Sequence, residues 1–381
     1  MPTIDLGLVV GPQGPQGNTG SRGPQGAQGN PGPNQVTGST STTLSGILQG
    51  NGSVVQAVAS DNAPVSGSTN IVRSGKLYTE FAKHARPNLL DNWYFVGGGG
   101  NGSFPVAQKA WNGASSYAGT GYFVDRWYSY AADQVVTLMA DGVRIYNAES
   151  TAHFQQYLEP FTVQAPTTFT FSVLYRANGD VRLAENLTGT TRYSSWQNPA
   201  GGVGLLTLRT TVPAGGPVTN PHVWITTRAG VTATIFAAKL EVGDTSTLAY
   251  QDADGYWNLA DVPSYSDQLM RCQRHMFILN PEELTNVSFG VGSAYSSSAI
   301  YPFVPIPVPL RAVPTVTYSG TPAVQVGSTR TSISSIAHYR RLPNVEQLNV
   351  SVTGLTAGQF YILGYGSPSG RIILDANIYP A

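Results

Sequence analysis

Between residues 88 and 250, apolar and polar residues alternate over many short stretches, as they do in half-buried β-strands. The clearest stretch is residues 169–175, where a large apolar side chain stands at every second position. Residues 205–211, 222–227 and 231–239 show similar patterns. About eight such strands follow one another without an intervening helix, which predicts a β-sandwich of the jelly-roll type over residues 88–250.

Two of these stretches are joined by the dipeptide Asp141-Gly142. Residues 135–140 precede the dipeptide and residues 143–146 follow it, and both segments have the composition of strands. Asp-Gly supplies the positive φ angles that a type I′ turn requires. The sequence therefore predicts a tight hairpin whose turn is centred on this pair.

Residues 251–381 predict a second β-domain that contains one short helix. Apolar residues recur at helical spacing at Tyr265, Leu269, Cys272 and Met276, and Ser264 can cap the helix that they define. Cys272 lies on the apolar side of this helix, so we expect it in the core.

A later segment of the same domain, residues 302–309, alternates four prolines with apolar residues. Proline has no N–H group to donate to a central ladder. The sequence therefore predicts an edge strand here, or a bulged arm that crosses to a neighbouring subunit.

Residues 35–87 contain few apolar positions among many Ser, Thr, Gly and Asn residues. A monomeric fold of this segment would bury too little apolar surface to offset the loss of chain entropy. We therefore predict a fibrous neck in which three chains intertwine. Near its end, residues 77–85 predict a short helix that Pro87 would stop.

Upstream of the neck, glycine stands at every third position of residues 11–34, giving eight Gly-X-Y triplets. Only glycine fits at the crowded axis of three wound polyproline-II chains, so this register predicts a collagen-like triple helix and a parallel homotrimer. At about 3.1 Å per residue the segment would form a rod of about 70 Å. The glycines are Gly11, Gly14, Gly17, Gly20, Gly23, Gly26, Gly29 and Gly32. Residues 1–10 form a short apolar segment before the rod. We expect this segment either to start the trimer or to attach it to a larger assembly. A frayed terminus is the alternative.

Composition narrows the classes of function. Lys and Arg together number 21, as do Asp and Glu, so no net charge draws the chain to nucleic acid or to an anionic membrane. The single cysteine excludes an intrachain disulfide and a Cys-based zinc site. No apolar run is long enough for membrane insertion, and no basic segment precedes the apolar residues 6–10. We therefore expect synthesis in a cytoplasm without a signal peptide.

The sequence contains only weak evidence for a metal site or for a catalytic site. The five histidines are far apart in sequence, so a metal site or a catalytic triad would depend on the fold to gather them. Asp252 and Asp254 resemble the start of a calcium loop, but the spacing of an EF-hand fails, and a polar loop without Ca²⁺ is the expectation. No Asp/Glu pair stands out in an aromatic context, as glycoside hydrolysis would require. We expect no cofactor and no catalysis.

Sugar binding has a better physical case, because exposed Tyr and Trp rings stack on the apolar faces of sugars while short polar side chains bind the hydroxyl groups. One aromatic cluster surrounds Trp127, which is itself expected in the core. The other lies in a loop rich in Gly, Pro and Asn, where recognition residues tend to occur. Core packing is the alternative for the rings of both clusters. The candidate carbohydrate-binding residues are Tyr122, Tyr128, Tyr130, Tyr193, Trp196, Gln197 and Asn198, with Tyr295, Tyr339 and Tyr365 as weaker candidates in the second β-domain.

Several short sequence motifs spread along the chain resemble motifs of tail-fibre or receptor-binding proteins of tailed bacteriophages and prophages. Residues 88–93 (NLLDNW) open the sandwich, Asp125-Arg126-Trp127 lies within it and residues 240–243 (LEVG) close it. Residues 271–277 (RCQRHMF) are similar to the "CQRYF" helix of that family, with His-Met where Tyr is usual. Residues 309–317 (PLRAVPTVT) are similar to its "MRAxPTVT" phrase.

The resemblance implies a trimeric virion fibre, anchored to other virion proteins through its N-terminus, that attaches to carbohydrate or protein on a bacterial surface. It also implies a carbohydrate-binding-module-like sandwich, with residues 251–381 as the tip. It carries over no ligand residue. Two alternatives remain open: a structural virion component without a receptor role, such as a head fibre or a baseplate connector, and a polysaccharide depolymerase.

Overall fold

The computed structural model describes residues 17, 19–27, 48–50, 55–57, 60–61, 71–72, 86–252 and 254–378. The predictions for residues 1–10, for the helix at residues 77–85 and for Gly11, Gly14, Gly29 and Gly32 lie outside these residues. The chain divides into two compact units, residues 1–73 and residues 74–381.

The described residues of the first unit contain two short strand pairs. β1 (Leu48–Gly50) pairs antiparallel with β2 (Val55–Ala57), and β3 (Ser60–Asp61) pairs parallel with β4 (Ile71–Val72). Residue 17 and residues 19–27, from the Gly-X-Y segment, are exposed and carry neither helix nor strand. The triple helix and the homotrimer stay predictions, because the structure describes a single chain.

The second unit is mainly β, as predicted, and begins with a sandwich of two antiparallel six-stranded sheets. Sheet A has the strand order β14-β13-β17-β10-β7-β6, and sheet B has the order β15-β12-β18-β9-β8-β5. A separate pair, β11 and β16, lies beside them, and the 3₁₀ helix η1 spans Gln108–Ala110. The strands are β5 (Ser116–Ala118), β6 (Gly121–Val124), β7 (Trp127–Ser129), β8 (Val135–Met139), β9 (Gly142–Tyr146), β10 (His153–Tyr157), β11 (Phe161–Val163), β12 (Thr167–Ala177), β13 (Val181–Asn186), β14 (Arg192–Tyr193), β15 (Val203–Val212), β16 (Gly215–Val218), β17 (His222–Thr227) and β18 (Thr232–Val242).

Aromatic rings fill the space between the two sheets. Trp127 is fully buried, as predicted, and stacks on Phe154 at a centroid distance of 5.0 Å while Phe95 meets its edge at 5.3 Å. Asp125 and Arg126, which precede it, bond to different segments: Asp125 accepts hydrogen bonds from the backbone and side chain of Gln108. Arg126 donates to the carboxylate of Asp91.

The predicted hairpin at residues 135–146 is confirmed, but its turn lies one residue earlier than expected. Met139 pairs with Gly142, so Ala140 and Asp141 form the turn and Gly142 already belongs to β9. Asp141 does not have the positive φ of a type I′ turn. Gly142 is required by packing instead, because a Cβ at this position would lie 2.5 Å from the carbonyl oxygen of Ile235 in β18.

The C-terminal β-domain follows, with its own core and the predicted helix. The helix α1 (Tyr265–Gln273) begins after Ser264, whose side chain accepts a hydrogen bond from the backbone of Asp267, and Cys272 is fully buried on it. Met276, which the helical spacing had included, is instead the first residue of the next strand. The strands are β19 (Ala249–Gln251), β20 (Trp257–Leu259), β21 (Met276–Leu279), β22 (Val287–Ser296), β23 (Ala299–Ile300), β24 (Phe303–Pro305), β25 (Thr315–Tyr318), β26 (Pro322–Val326), β27 (Thr329–Ser332), β28 (Ser335–Leu342), β29 (Val345–Ser351), β30 (Phe360–Tyr365) and β31 (Ile372–Asp375).

The main sheet of this domain, sheet C, has the order β23-β29-β24-β22-β30-β26-β27, with β28 paired to β29. The prediction of an edge strand at residues 302–309 is wrong, because β24 lies between β29 and β22. The strand tolerates its prolines because it is only three residues long. Pro302 precedes it and Pro305 ends it, so the missing N–H groups fall at its two ends.

The C-terminal domain is fixed to the sandwich through α1 and β21. The side chain of Gln108 donates to the carbonyl oxygen of Met276 at 2.8 Å and accepts from the backbone of Ile278. Asp91 forms an ion pair with Arg271 on α1 at 3.1 Å. Among the described residues no helix has both the length and the apolarity that crossing a bilayer would require.

Candidate functional site

The outward face of sheet A carries a continuous row of residues across all six strands. Residues such as Phe154, Ile225 and Leu183 point inward and are buried in the core. Their neighbours in sequence therefore point away from sheet B, because side chains alternate along a strand. The strand registers place in one row Tyr122, Tyr128, Gln155, Trp224, Ala184 and Tyr193.

A ladder of rings runs along the strands and crosses this row at Trp224. His222 stacks on Trp224 with centroids 4.9 Å apart, and His153 lies on its other side at 6.5 Å. Tyr157 continues the ladder beyond His222 at 4.6 Å, and Tyr130 continues it beyond His153 at 6.0 Å. We call these five residues the aromatic ladder.

Two arginines and two rings close the β14 end of the face. The guanidinium of Arg182 lies 4.1 Å from the ring centroid of Tyr193 and 4.3 Å from that of Trp196. Arg228 lies over the same Trp196 ring at 4.4 Å and forms an ion pair with Asp180 at 2.9 Å. Within residues 86–252 and 254–378, Arg182 has no acidic partner, and its Nε atom is buried without a hydrogen-bond partner.

The rings differ in exposure, which divides the face into a floor and a rim. Tyr122, Tyr128 and Trp224 are buried and form the floor. Tyr130 and Tyr193 stand on opposite sides and are 51% and 50% exposed. A flat ligand could therefore contact rings at both rims while lying across the middle of the sheet.

The floor also contains polar atoms that lack a hydrogen-bond partner among the described residues. They belong to outward-facing residues of β13 and β17, and each of these atoms is buried. Buried polar atoms without partners are unusual in folded proteins. The atoms are Trp224 Nε1, Thr226 Oγ1, Arg182 Nε and Asn186 Oδ1.

The two histidines of the ladder are held neutral. Burial lowers the pKa of His153, and the positive charge of Arg182 lowers it further. Burial likewise lowers the pKa of His222, although its hydrogen bond to the carbonyl of Asn220 opposes this effect. At neutral pH both imidazoles therefore act as uncharged flat rings, and positive charge on the face comes from its arginines.

The structure brings together five of the seven candidate residues. Tyr122, Tyr128, Tyr130, Tyr193 and Trp196 lie on this face or at its end, although they came from two separate sequence clusters. Tyr122 and Tyr128 are buried in the floor, whereas Tyr130 and Tyr193 form the exposed rims.

Gln197 and Asn198 lie elsewhere. Gln197 pairs with the inward-facing Val181, so its side chain lies on the opposite side of this segment from that of Trp196, and it is exposed. Both Gln197 and Asn198 line a separate cavity of about 390 Å³ beside Tyr175.

Sequence reasoning missed His153, Tyr157, Arg182, His222 and Trp224. The signal was present in the alternation of strands β10 and β17. His153 and Tyr157 alternate with a buried Phe154, and His222 and Trp224 alternate with a buried Val223. The register that joins the two strands could not be read from either one alone.

Two other residues that the sequence suggested as candidates make contacts that hold the fold together. Asp252 closes the β19–β20 hairpin by accepting hydrogen bonds from the backbones of Asp254 and Tyr256 and from the side chain of Asn258. Tyr365 is buried, and its hydroxyl lies 2.6 Å from the carbonyl oxygen of Ser319. The described residues contain no group of three or more His, Cys, Asp and Glu side chains that could hold a metal ion.

A larger cavity, of about 440 Å³, lies where the sandwich meets α1. Its apolar wall includes Phe161 and Phe169, and its charged side includes Asp91, Arg126 and Arg274. The aromatic ladder contributes no residue to it. This cavity belongs to the junction of the two β-domains.

No protein-family model matches the chain, and no curated protein matches it. Solved structures with similarity include the N-terminal cellulose-binding domain of β-1,4-glucanase C from Cellulomonas fimi, at 13% identity and a TM-score of 0.24, covering 35% of this chain and 97% of that domain. The N-terminal CBM22-1–CBM22-2 tandem domain of Xyn10C from Paenibacillus barcinonensis has 12% identity and a TM-score of 0.24, covering 69% of this chain and 92% of that one. A cyclase from Fischerella sp. TAU has 11% identity and a TM-score of 0.23, covering 34% of this chain and 74% of that enzyme. TM-scores this low do not establish a common fold.

Proposed function

We propose that the chain is a bacteriophage or prophage fibre protein that binds carbohydrate on a bacterial surface through the outward face of sheet A. The observation that carries the proposal is the aromatic ladder of Tyr130, His153, Trp224, His222 and Tyr157. Within the ladder the rings stack on one another, so stacking on the apolar face of a sugar falls to the exposed rings of Tyr130 and Tyr193, while polar side chains of the face bind hydroxyl groups.

The phage assignment depends on the family phrases in the sequence and on the Gly-X-Y segment. Three copies wound together would display three sandwiches on one shaft. Multivalent display raises avidity without any new contact, which suits weak binding to a repetitive polysaccharide. Residues 1–10 would connect the fibre to other virion proteins.

The proposed activity is binding without cleavage. The row of sheet A that runs from Tyr122 to Tyr193 and the aromatic ladder contain no Asp or Glu, whereas glycoside hydrolysis needs two carboxylates about 5 to 9.5 Å apart. Asp180, the acidic residue beside the face, is paired with Arg228 at 2.9 Å. A sugar lying on the ladder would therefore meet rings, amides and arginine.

The experiment measures binding of the labelled full-length protein to host cells and to their purified surface polysaccharide, and assays the polysaccharide for new reducing ends. We expect saturable binding to both, competition by the free polysaccharide and no new reducing ends. New reducing ends would favour a depolymerase. A protein that binds neither cells nor polysaccharide would favour a structural virion component.

A further inference from the structure

The outward face of sheet C carries a second set of exposed apolar residues, distinct from the aromatic ladder. Val291 on β22 pairs with Ile362 on β30 and with Phe303 on β24, so the three side chains form one row on one face. They are 47%, 42% and 47% exposed, respectively. In the next row Ser293 pairs with Phe360, which is 68% exposed.

Tyrosine rings extend this surface toward β28. Tyr295 lies 5.8 Å from Tyr301, and Tyr301 lies 4.4 Å from Tyr339, measured between ring centroids. Tyr295 and Tyr339 are both exposed. We call the surface formed by these rings, the Phe303–Val291–Ile362 row and Phe360 the sheet C patch.

The patch is not needed to complete the core of its own domain. The alternate residues of the same strands, including Ala294, Val304 and Leu363, point to the other side of the sheet and are buried in that core. The apolar side chains of the patch therefore remain in water in the single chain. Monomeric proteins rarely expose a contiguous apolar surface of this kind, and such surfaces mark interaction sites.

The patch carries little charge. On the row through Phe303, Gln347 follows on β29 and Arg340 on β28. The guanidinium of Arg340 lies 5.5 Å from the ring centroid of Tyr339, and the patch itself contains no acidic residue. An identical surface can therefore approach without strong repulsion between like charges.

We infer that the sheet C patch is the surface through which three copies of this chain associate at their C-terminal domains. The inference rests on the homotrimer of the proposed function. The Gly-X-Y segment predicts three parallel wound chains, so three identical patches would be held at high effective concentration. Closed symmetry then lets each copy bury its patch against its neighbours.

The test uses the full-length chain and measures its mass by light scattering while the sample is warmed through loss of the triple-helix circular dichroism signal. We expect the wild-type protein to stay a trimer after the triple helix has melted, because the patches still hold the copies together. A wild-type protein that falls to monomers when the triple helix melts would overturn the inference.

A Val291→Glu/Ile362→Glu double variant should drop to one third of the trimer mass on the same warming. Val313→Glu is the matched control, because Val313 is 66% exposed and lies outside sheet C. Phe360→Lys provides a second variant of the patch, and near-ultraviolet circular dichroism verifies that each variant is folded. Variants that remain trimers like the control would overturn the inference.

These outcomes are separate from the proposed function. A wild-type chain that is monomeric before warming would overturn both the homotrimer and the patch interface, while carbohydrate binding by the sandwich is measured independently. If the protein binds polysaccharide and the variants of the patch keep the trimer mass on warming, only the patch interface is overturned.

Discussion

Tyr122 and Tyr193 stand at opposite ends of one row that crosses every strand of sheet A. Five steps between neighbouring strands, at about 4.8 Å each, separate them by roughly 24 Å. Trp224 lies within this row, where the aromatic ladder crosses it. The face is therefore long enough to contact several consecutive units of a sugar chain.

Arg182 should set a preference for acidic sugars. It lies against Tyr193 and Trp196 and has no acidic partner among residues 86–252 and 254–378. We expect Arg182→Gln to weaken binding of an acidic polysaccharide about tenfold, equivalent to about 1.4 kcal/mol, and to change binding of a neutral one much less. Titration with both polysaccharides at low salt measures the difference. Equal losses for the two would show that Arg182 acts only by supporting the rings.

Asp125 should make the protein less stable as pH rises toward neutrality. Burial raises the pKa of this carboxyl to about 7, against the hydrogen bonds from Gln108 that lower it. The folded state therefore holds a proton that the unfolded state, with a pKa of 3.8, releases. The free energy of unfolding should fall between pH 3.8 and pH 7, by up to about 1.4 kcal/mol per pH unit.

The Asp125→Asn variant isolates this contribution, because an amide cannot ionise and its one oxygen can still accept one of the two hydrogen bonds that Gln108 donates. Urea unfolding of both proteins across the same pH range gives the comparison. We expect the stability of wild type relative to the variant to decline as pH rises. A constant difference would contradict the raised pKa.

His275 should have the opposite effect at acidic pH. Burial, followed by the charges of Arg126, Arg274 and Arg311, lowers its pKa from 6.5 to about 2. The unfolded chain then binds a proton below pH 6.5 that the folded chain excludes, so the free energy of unfolding should fall as pH decreases from 6.5. In His275→Gln this decline should be shallower, as measured by thermal unfolding between pH 7 and pH 4. If stability falls equally with pH in the two proteins, the lowered pKa of His275 is contradicted.

Gly23 offers a test of the triple helix that a single chain cannot mimic. In the single chain a Cβ added at Gly23 would meet no atom within 4 Å, so alanine costs nothing by contact. At the axis of a triple helix the same Cβ has no room. We expect Gly23→Ala to lower the melting temperature of the triple-helix circular dichroism signal, whereas Gln25→Ala, at a position between glycines, changes it little. Identical melting for the two variants would indicate a flexible linker.

The sequence predicted strands well where one face of each is buried. The alternation in residues 169–175 identified β12, and Ser264 marked the start of α1. The sequence could not predict how the strands pair. Tyr122 and Tyr193 belong to the same row only because four other strands lie between them in the sheet. The same limit explains Trp196 and Gln197, whose opposite directions follow from the pairing of Gln197 with Val181.

The proline-rich strand shows a second limit. The missing N–H groups of proline argued for an edge, yet β24 is short enough to keep Pro302 and Pro305 at its ends while both neighbours bond to it. Strand length, which depends on tertiary packing, decided the outcome.

Titration of the full-length protein with host surface polysaccharide tests the carbohydrate-binding face most directly, when wild type is compared with Tyr130→Ala/Tyr193→Ala and with Tyr250→Ala. Tyr250 is the matched control, since it is 52% exposed and lies on β19, outside sheet A. The two rim rings should provide stacking that the control does not, so we expect the double variant to bind at least about tenfold more weakly and the control to bind like wild type. Equal affinity for all three proteins would contradict carbohydrate binding on this face.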